Sequence, residues 1–295
     1  MEKVLVTGAS GKLGSYVVAE LRRRDIPAVA WSHRRQGRVS GVELRPVDLC
    51  DPDSVDRALQ ADSPDAAIHC AALSAIGDCY RDPDKADRLN RWATGYLGAS
   101  LPRLLGVSTD LVFDGSQAPY GEADEPRPLS VYGRSKLAGE RELQGCDNAA
   151  VIRVSLLYGP ALFGGGFFQQ QIDSLSAGQK LRLFADEWRT PLALDEAASG
   201  LVDILLSGFA GLAHLGGAER LSRYQMGVTL AKHLMCPEKL VVRTSQSDVN
   251  FPEPRPHDVS LACETAKIEW GWSPSSYAEG LTRLIGNPPS SSTKR

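Results

Sequence analysis

The chain has 295 residues, 42% hydrophobic and 23% charged, a balance that suits a globular fold with a large core and excludes wholesale disorder. With 33 basic against 36 acidic residues the net charge is −3, so neither nucleic acid nor an anionic membrane is expected as the main partner. Small molecules are the expected ligands. The longest uncharged window, 154–172, contains Pro160, four glycines and three consecutive glutamines and is not read as a membrane span. A strand-like Val4-Leu5-Val6 follows directly on Met-Glu-Lys, leaving no room for a signal peptide, and a cytoplasmic location is expected. Six cysteines without any C-x-x-C pair read as free thiols, with no metal site.

Short apolar runs alternate with amphipathic segments, the pattern of a parallel sheet with crossover helices. Strands are expected at Val4 to Thr7, Ala28 to Trp31, Val42 to Pro46, Ala66 to Cys70, Leu104 to Ser108 and Ala150 to Val154. Helices are expected at Gly14 to Arg24, Asp53 to Gln60, Asp84 to Ser100 and Ser135 to Leu143. This order predicts an α/β, doubly wound (Rossmann) sheet. Beyond residue 155 the alternation breaks into a Gly-rich loop, a helix near Phe167 to Ser176, a capping box at Ser222 and a Pro-rich stretch at Phe251 to Pro256. The expected organisation is a dinucleotide-binding domain over 1–158, a smaller substrate lobe over 159–287 interleaved with the last sheet elements, and a disordered tail over 288–295.

Gly8, Gly11 and Gly14 are spaced three apart between the first strand and the first helix. Such a loop, with Ser10, Lys12 and Leu13, brings backbone amides up to a pyrophosphate at a helix N-terminus. The second strand ends in Ser32-His33-Arg34-Arg35, where an NAD site would present a carboxylate. Two guanidiniums there suit a 2′-phosphate and predict NADPH, unless they form only a solvated loop. Asp48, beside Leu49, either accepts from an adenine amine or caps the turn into Asp51-Pro52. Ala71 and Ala72 leave room for a ribose, and His69 reads as a core histidine.

Tyr132 and Lys136 stand four residues apart on one helix face, a spacing that lets the ammonium lower the phenol's pKa for proton transfer to a carbonyl. Ser108-Thr109-Asp110 ends the strand before them. With Val107–Gly115 (VSTDLVFDG), Pro119-Tyr120-Gly121-Glu122 and Pro128–Glu140 (PLSVYGRSKLAGE), the chain resembles the extended short-chain dehydrogenase/reductase family, and more narrowly its dTDP-4-dehydrorhamnose reductase branch. Weaker matches are Arg153-Val154-Ser155, Leu157-Tyr158-Gly159, Arg189-Thr190-Pro191 and Arg255-Pro256. The resemblance implies Tyr132 as general acid, Lys136 as the ribose-binding residue that tunes it, and Thr109 as the hydroxyl that orients the substrate carbonyl. It also implies Asn90 as a helix-shaping residue near the lysine, the alternative being an ordinary polar helix position.

Leu156 stands where the branch commonly has tryptophan, and Leu111 where sugar-nucleotide dehydratases have glutamate, which disfavours dehydration. The expected activity is NADPH-dependent reduction of a keto group on a nucleotide-activated deoxysugar. Two alternatives are a non-catalytic subunit resembling the regulatory subunit of methionine adenosyltransferase and a sugar-nucleotide epimerase. Asp110 is expected to face the substrate; in the substrate lobe Arg189 is expected on a diphosphate, and Phe167 or Phe168 either stacks on a base or belongs to the core. A homodimer is the expected assembly.

Overall fold

The structure, a computed structural model, describes residues 3–286. The tail from Pro288 lies outside the described residues. Strands and helices run in the order β1 (Val4–Thr7), α1 (Lys12–Arg23), β2 (Ala28–Ser32), β3 (Arg38–Val39), β4 (Val42–Pro46), α2 (Pro52–Asp62), β5 (Ala66–His69), α3 (Ile76–Arg81) and α4 (Pro83–Asp87). A π-helical turn, Arg88–Trp92, joins α4 to α5 (Ala93–Ser100), followed by β6 (Leu104–Thr109), α6 (Val131–Leu143) and β7 (Ala149–Val154). The remaining elements are β8 (Leu157–Tyr158), α7 (Phe167–Ser176), β9 (Leu181–Phe184), β10 (Trp188–Arg189), β11 (Leu192–Ala193), α8 (Leu194–Ser207), β12 (Gly211–Leu215), β13 (Leu221–Ser222), α9 (Arg223–His233), β14 (Val241–Thr244), α10 (Glu264–Trp270) and α11 (Tyr277–Ile285).

Eight strands form the main sheet in the order β12-β7-β6-β5-β1-β2-β4-β3, all parallel except the edge strand β3. The doubly wound order reverses between β1 and β5, which opens a crevice beyond their carboxyl ends. Alternation along β1 explains why both faces are covered. Val4 and Val6 pack with Val17, Leu201 and Leu205 of α1 and α8, while Leu5 packs with Val55, Leu97 and Leu143 of α2, α5 and α6. A third core, around Tyr158, Phe168, Leu175, Leu183, Leu230 and Leu281, belongs to the small lobe and its three two-stranded pairs.

Two expectations change in ways that bear on the site. Helix α6 starts at Val131, four residues before the expected Ser135, because the Ser130 hydroxyl accepts from Gly133 N–H and caps it. Tyr132 therefore sits in the helix's first turn. The sheet also continues past residue 155: α8 packs on α1 and β12 pairs with β7, neither of which the sequence reading separated from the irregular second half. Among the described residues no helix is long and apolar enough to cross a membrane, and all six cysteines are free.

Candidate active site

The loop from β1 to α1 is shaped by what a Cβ would strike. Gly8 has φ +64°, and a Cβ there would lie 2.8 Å from the backbone of Ala71; one on Gly14 would lie 2.3 Å from the Gly8 carbonyl oxygen. Gly8 thus lets the loop approach the end of β5, and Gly14 lets the helix close on its own loop. No side chain caps α1, so its positive end faces the crevice. Thr7 Oγ1 accepts from Ala71 N–H at 3.2 Å and lies 2.7 Å from His69 Nδ1, while His69 Nε2 lies 3.1 Å from Thr94 Oγ1. Both ring nitrogens are engaged, and burial with the nearby Lys136 pushes the imidazole down to about 3. His69 is a neutral core histidine, as read.

A cleft of about 1040 Å³ runs from this loop past His33, Arg34, Asp48 and Leu49 at one end and Ala71 and Ala72 at its middle, to Thr109, Tyr132 and Lys136. Its volume and glycine cradle fit a dinucleotide with a second ligand beyond it. Asp48 Oδ1 accepts from Cys50 N–H at 2.9 Å, so the turn-capping role is present while the residue still lines the cleft. Arg35 does not line it. Its guanidinium stacks on Phe163 at 4.6 Å, in the loop 160–166. The same loop accepts a 3.0 Å hydrogen bond from the Tyr16 hydroxyl at the Pro160 carbonyl and passes Lys12 at Gly166.

The reaction end is assembled by close packing. A Cβ on Gly133 would lie 2.3 Å from Leu111 O, and one on Gly139 2.3 Å from Asn90 O, so two glycines six apart seat α6 against the turn after β6 and against the π-helical turn. Thr109 Oγ1 accepts from Leu111 N–H at 3.2 Å, donates to Asp110 Oδ1 at 3.2 Å and adjoins the Tyr132 phenol. Asn90 is fully buried. Its amide accepts from Leu73 N–H at 2.8 Å and donates to Leu73 O at 3.0 Å and to Ser135 Oγ at 2.9 Å, tying the exit of β5 to α6. This is a structural clamp beside Lys136, and Asn90 itself does not line the cleft.

On balance the Tyr132 phenol is shifted upward, and desolvation rather than Lys136 governs the shift. Burial raises the Tyr132 phenol above its ordinary value; the adjoining Thr109 hydroxyl opposes this, and the charge of Asp110 adds to it. Lys136 is buried and pushed down to about 8 by desolvation, with Glu140 holding it up. Beyond the phenol, Asp110 Oδ2 accepts from Ser155 Oγ at 3.2 Å and lies 3.6 Å from Arg189, and burial raises its carboxyl above the usual range. Glu187 stands among Arg189 (3.4 Å), Arg223 (3.2 Å) and Arg255 (3.9 Å).

Sequence comparison agrees with this geometry. The profile of the RmlD substrate-binding domain family matches residues 1–288. The chain belongs to that family. A probable low-salt glycan biosynthesis reductase of Haloferax volcanii is 31% identical over 95% of this chain and 96% of its own. The methionine adenosyltransferase 2 subunit beta of Rattus norvegicus is 30% identical over 90% and 81%. Among solved structures, a dTDP-4-dehydrorhamnose reductase from Bacillus anthracis in complex with NADP superposes with a TM-score of 0.85 at 21% identity, covering 96% of this chain and 98% of that one. A hypothetical dTDP-4-dehydrorhamnose reductase from Sulfolobus tokodaii gives 0.81 at 27% identity, covering 95% and 99%. The RmlD-family chain is an oxidoreductase of the short-chain dehydrogenase/reductase type.

Within this RmlD-family cleft the structure sorts the remaining candidates. Leu111, Leu156 and Arg189 line it, Phe168 is buried in the small-lobe core, and Phe167 is 45% exposed with the Arg223 guanidinium 5.0 Å from its ring. Arg189 is itself buried between Asp110 and Glu187, whereas Arg223 and Arg255 keep 19% and 32% of their side chains exposed. Arg223 and Glu187 were not singled out by sequence. Nor was the buried set in which Arg153 grips Glu140 at 2.8 Å and Ser108 donates to the same carboxylate. Its signal was available: an arginine inside the apolar strand Ala149–Val154 requires a buried acid.

Proposed function

We propose that the protein is an NADPH-dependent reductase of a keto group on a nucleotide-activated deoxysugar. The observation that carries this is one continuous cleft in which a dinucleotide cradle leads to Thr109, Tyr132 and Lys136 and then to an arginine-lined lobe. Gly8, Gly11 and Gly14 would hold the dinucleotide, which when bound would supply hydride for the carbonyl carbon. Tyr132 gives its proton to the carbonyl oxygen, and its raised pKa keeps that proton on the phenol at neutral pH. Thr109 orients the oxygen, and Lys136, charged below about 8, stabilises the developing phenolate. Arg223 and Arg255 receive a diphosphate. His33 and Arg34 follow β2 at the adenosine end, with no carboxylate at that strand's end, and favour the 2′-phosphate.

Likeness to methionine adenosyltransferase 2 subunit beta supports a second reading, a regulatory subunit that keeps the dinucleotide fold. One assay separates the two. Purified protein is mixed with NADPH or NADH and with dTDP- and UDP-linked 4-keto-sugars, and loss of nicotinamide absorbance is followed. Turnover with NADPH faster than with NADH is expected. No turnover with any keto-sugar, together with stimulation of a methionine adenosyltransferase, would replace the reductase reading with the regulatory one.

A further inference from the structure

Helix α6 has no acidic side chain in its first turn, although its dipole favours one there. The charge comes from 122 residues further along: Glu253 Oε1 accepts from Val131 N–H at 2.8 Å and from the Arg134 guanidinium at 3.2 Å. Glu253 is 8% exposed, and its Oε2 is buried with no hydrogen-bond partner among the described residues. A helix cap alone is served as well by an exposed carboxylate, which escapes the desolvation cost. What distinguishes Glu253 is the segment that bears it.

That segment is Phe251-Pro252-Glu253-Pro254-Arg255-Pro256, a strap whose three prolines hold φ nearly constant. Pro254, Arg255 and Pro256 line the cleft, as do Ser130 and Tyr132. Farther along, the strap rests on Gly115, where a Cβ would come within 2.9 Å of Pro256, and Gln246 Nε2 donates to the Pro256 carbonyl at 3.3 Å. Arg255 stacks on Phe251 at 4.2 Å and faces Glu187. Glu253 is therefore the point at which a stiff wall of the substrate side is bolted to the peptide preceding Tyr132.

We propose that Glu253 is a positioning residue of the reaction, locking the strap 251–256 to the first turn of α6 so that the substrate-side wall and the Tyr132 phenol keep one spacing. This rests on the reductase reading above. Reacting groups lose about a hundredfold in rate when displaced by about 1 Å, and the lock controls such a displacement.

Glu253→Ala and Glu253→Gln test it, the glutamine keeping an acceptor for Val131 N–H. In Glu253→Ala kcat is expected to fall about tenfold, the scale of one lost charge-assisted hydrogen bond. NADPH affinity should stay within about twofold, since the glycine loop is untouched. Glu253→Gln should recover most of the rate. An unchanged kcat in Glu253→Ala, or equal losses of rate, NADPH affinity and thermal stability in both variants, would overturn the proposal. Amide exchange supplies a readout that needs no turnover. In Glu253→Ala the amides of 131–134 and those of Glu253's neighbours Phe251 and Arg255 should quicken together; quickening of the strap alone refutes the lock. Inactivity of the unmutated protein on every keto-sugar nucleotide counts against the reductase reading, while exchange still decides the coupling.

Discussion

Half-buried Tyr132 and buried Lys136 share one wall of the cleft, and desolvation moves their protons in opposite senses: the phenol holds its proton more tightly, the ammonium less. Tyr132→Phe removes the donor and leaves the dinucleotide cradle intact. Its kcat should drop about a hundred- to ten-thousandfold with NADPH affinity unchanged, and retention of a tenth of the rate would remove Tyr132 from the reaction. For Lys136 the sign is unusual. With a folded value of about 8 and an ordinary value of 10.5, the unfolded chain binds the extra proton between those two pH values, so stability rises with pH across that window. Below about 8 the full cost of the buried ammonium is present. Lys136→Met should therefore melt a few degrees higher than the parent at pH 7, and the gain should shrink as pH rises toward 10.5. A lower melting temperature at pH 7 would contradict this.

Helix α6 carries both groups, and its placement depends on two glycines. A Cβ at Gly139 meets the Asn90 carbonyl at 2.3 Å, whereas one at Gly145, just past the helix, meets nothing within 4 Å. Gly139→Ala should cost about 1–3 kcal/mol in urea unfolding and Gly145→Ala almost nothing; similar losses in both would show that the contact is relaxed. The same helix marks what sequence could reveal. The Y-x-x-x-K pair, the glycine loop and six of the parallel strands were legible because each depends on neighbours within a few residues. Its start at Val131 was missed because Gly133 reads as a breaker until Leu111's carbonyl is seen pressed against it. The π-helical turn at Asn90 was not legible either, since its extra residue is accommodated only by contact with α6, some fifty positions away.

At the scale of the whole molecule the reaction end lies between two lobes with different charge logic. Asp110 and Glu187 face Arg189, Arg223 and Arg255, so one positive charge is left over for an anion. The sequence reading assigned the diphosphate to Arg189, which lines the cleft but is buried between two carboxylates; we propose it as their counter-ion and Arg255 as the diphosphate contact. Arg255→Ala should raise the KM for a sugar nucleotide with kcat nearly unchanged. Arg189→Ala should lower kcat and stability together, because buried Asp110 loses its counter-ion while Glu187 keeps Arg223 and Arg255. Equal kinetic effects of the two substitutions, measured on one substrate, would contradict this division. The loop 160–166 is pinned beside the start of α1 by Tyr16 and Lys12 and beyond β2 by the Arg35–Phe163 stack. A loop pinned beside the cradle of one continuous cleft is expected to favour a sequence of arrivals: cofactor first, sugar nucleotide second, and departure in reverse. Steady-state inhibition should then be competitive for NADP against NADPH and non-competitive for the alcohol product against NADPH, whereas random entry would make the two patterns alike.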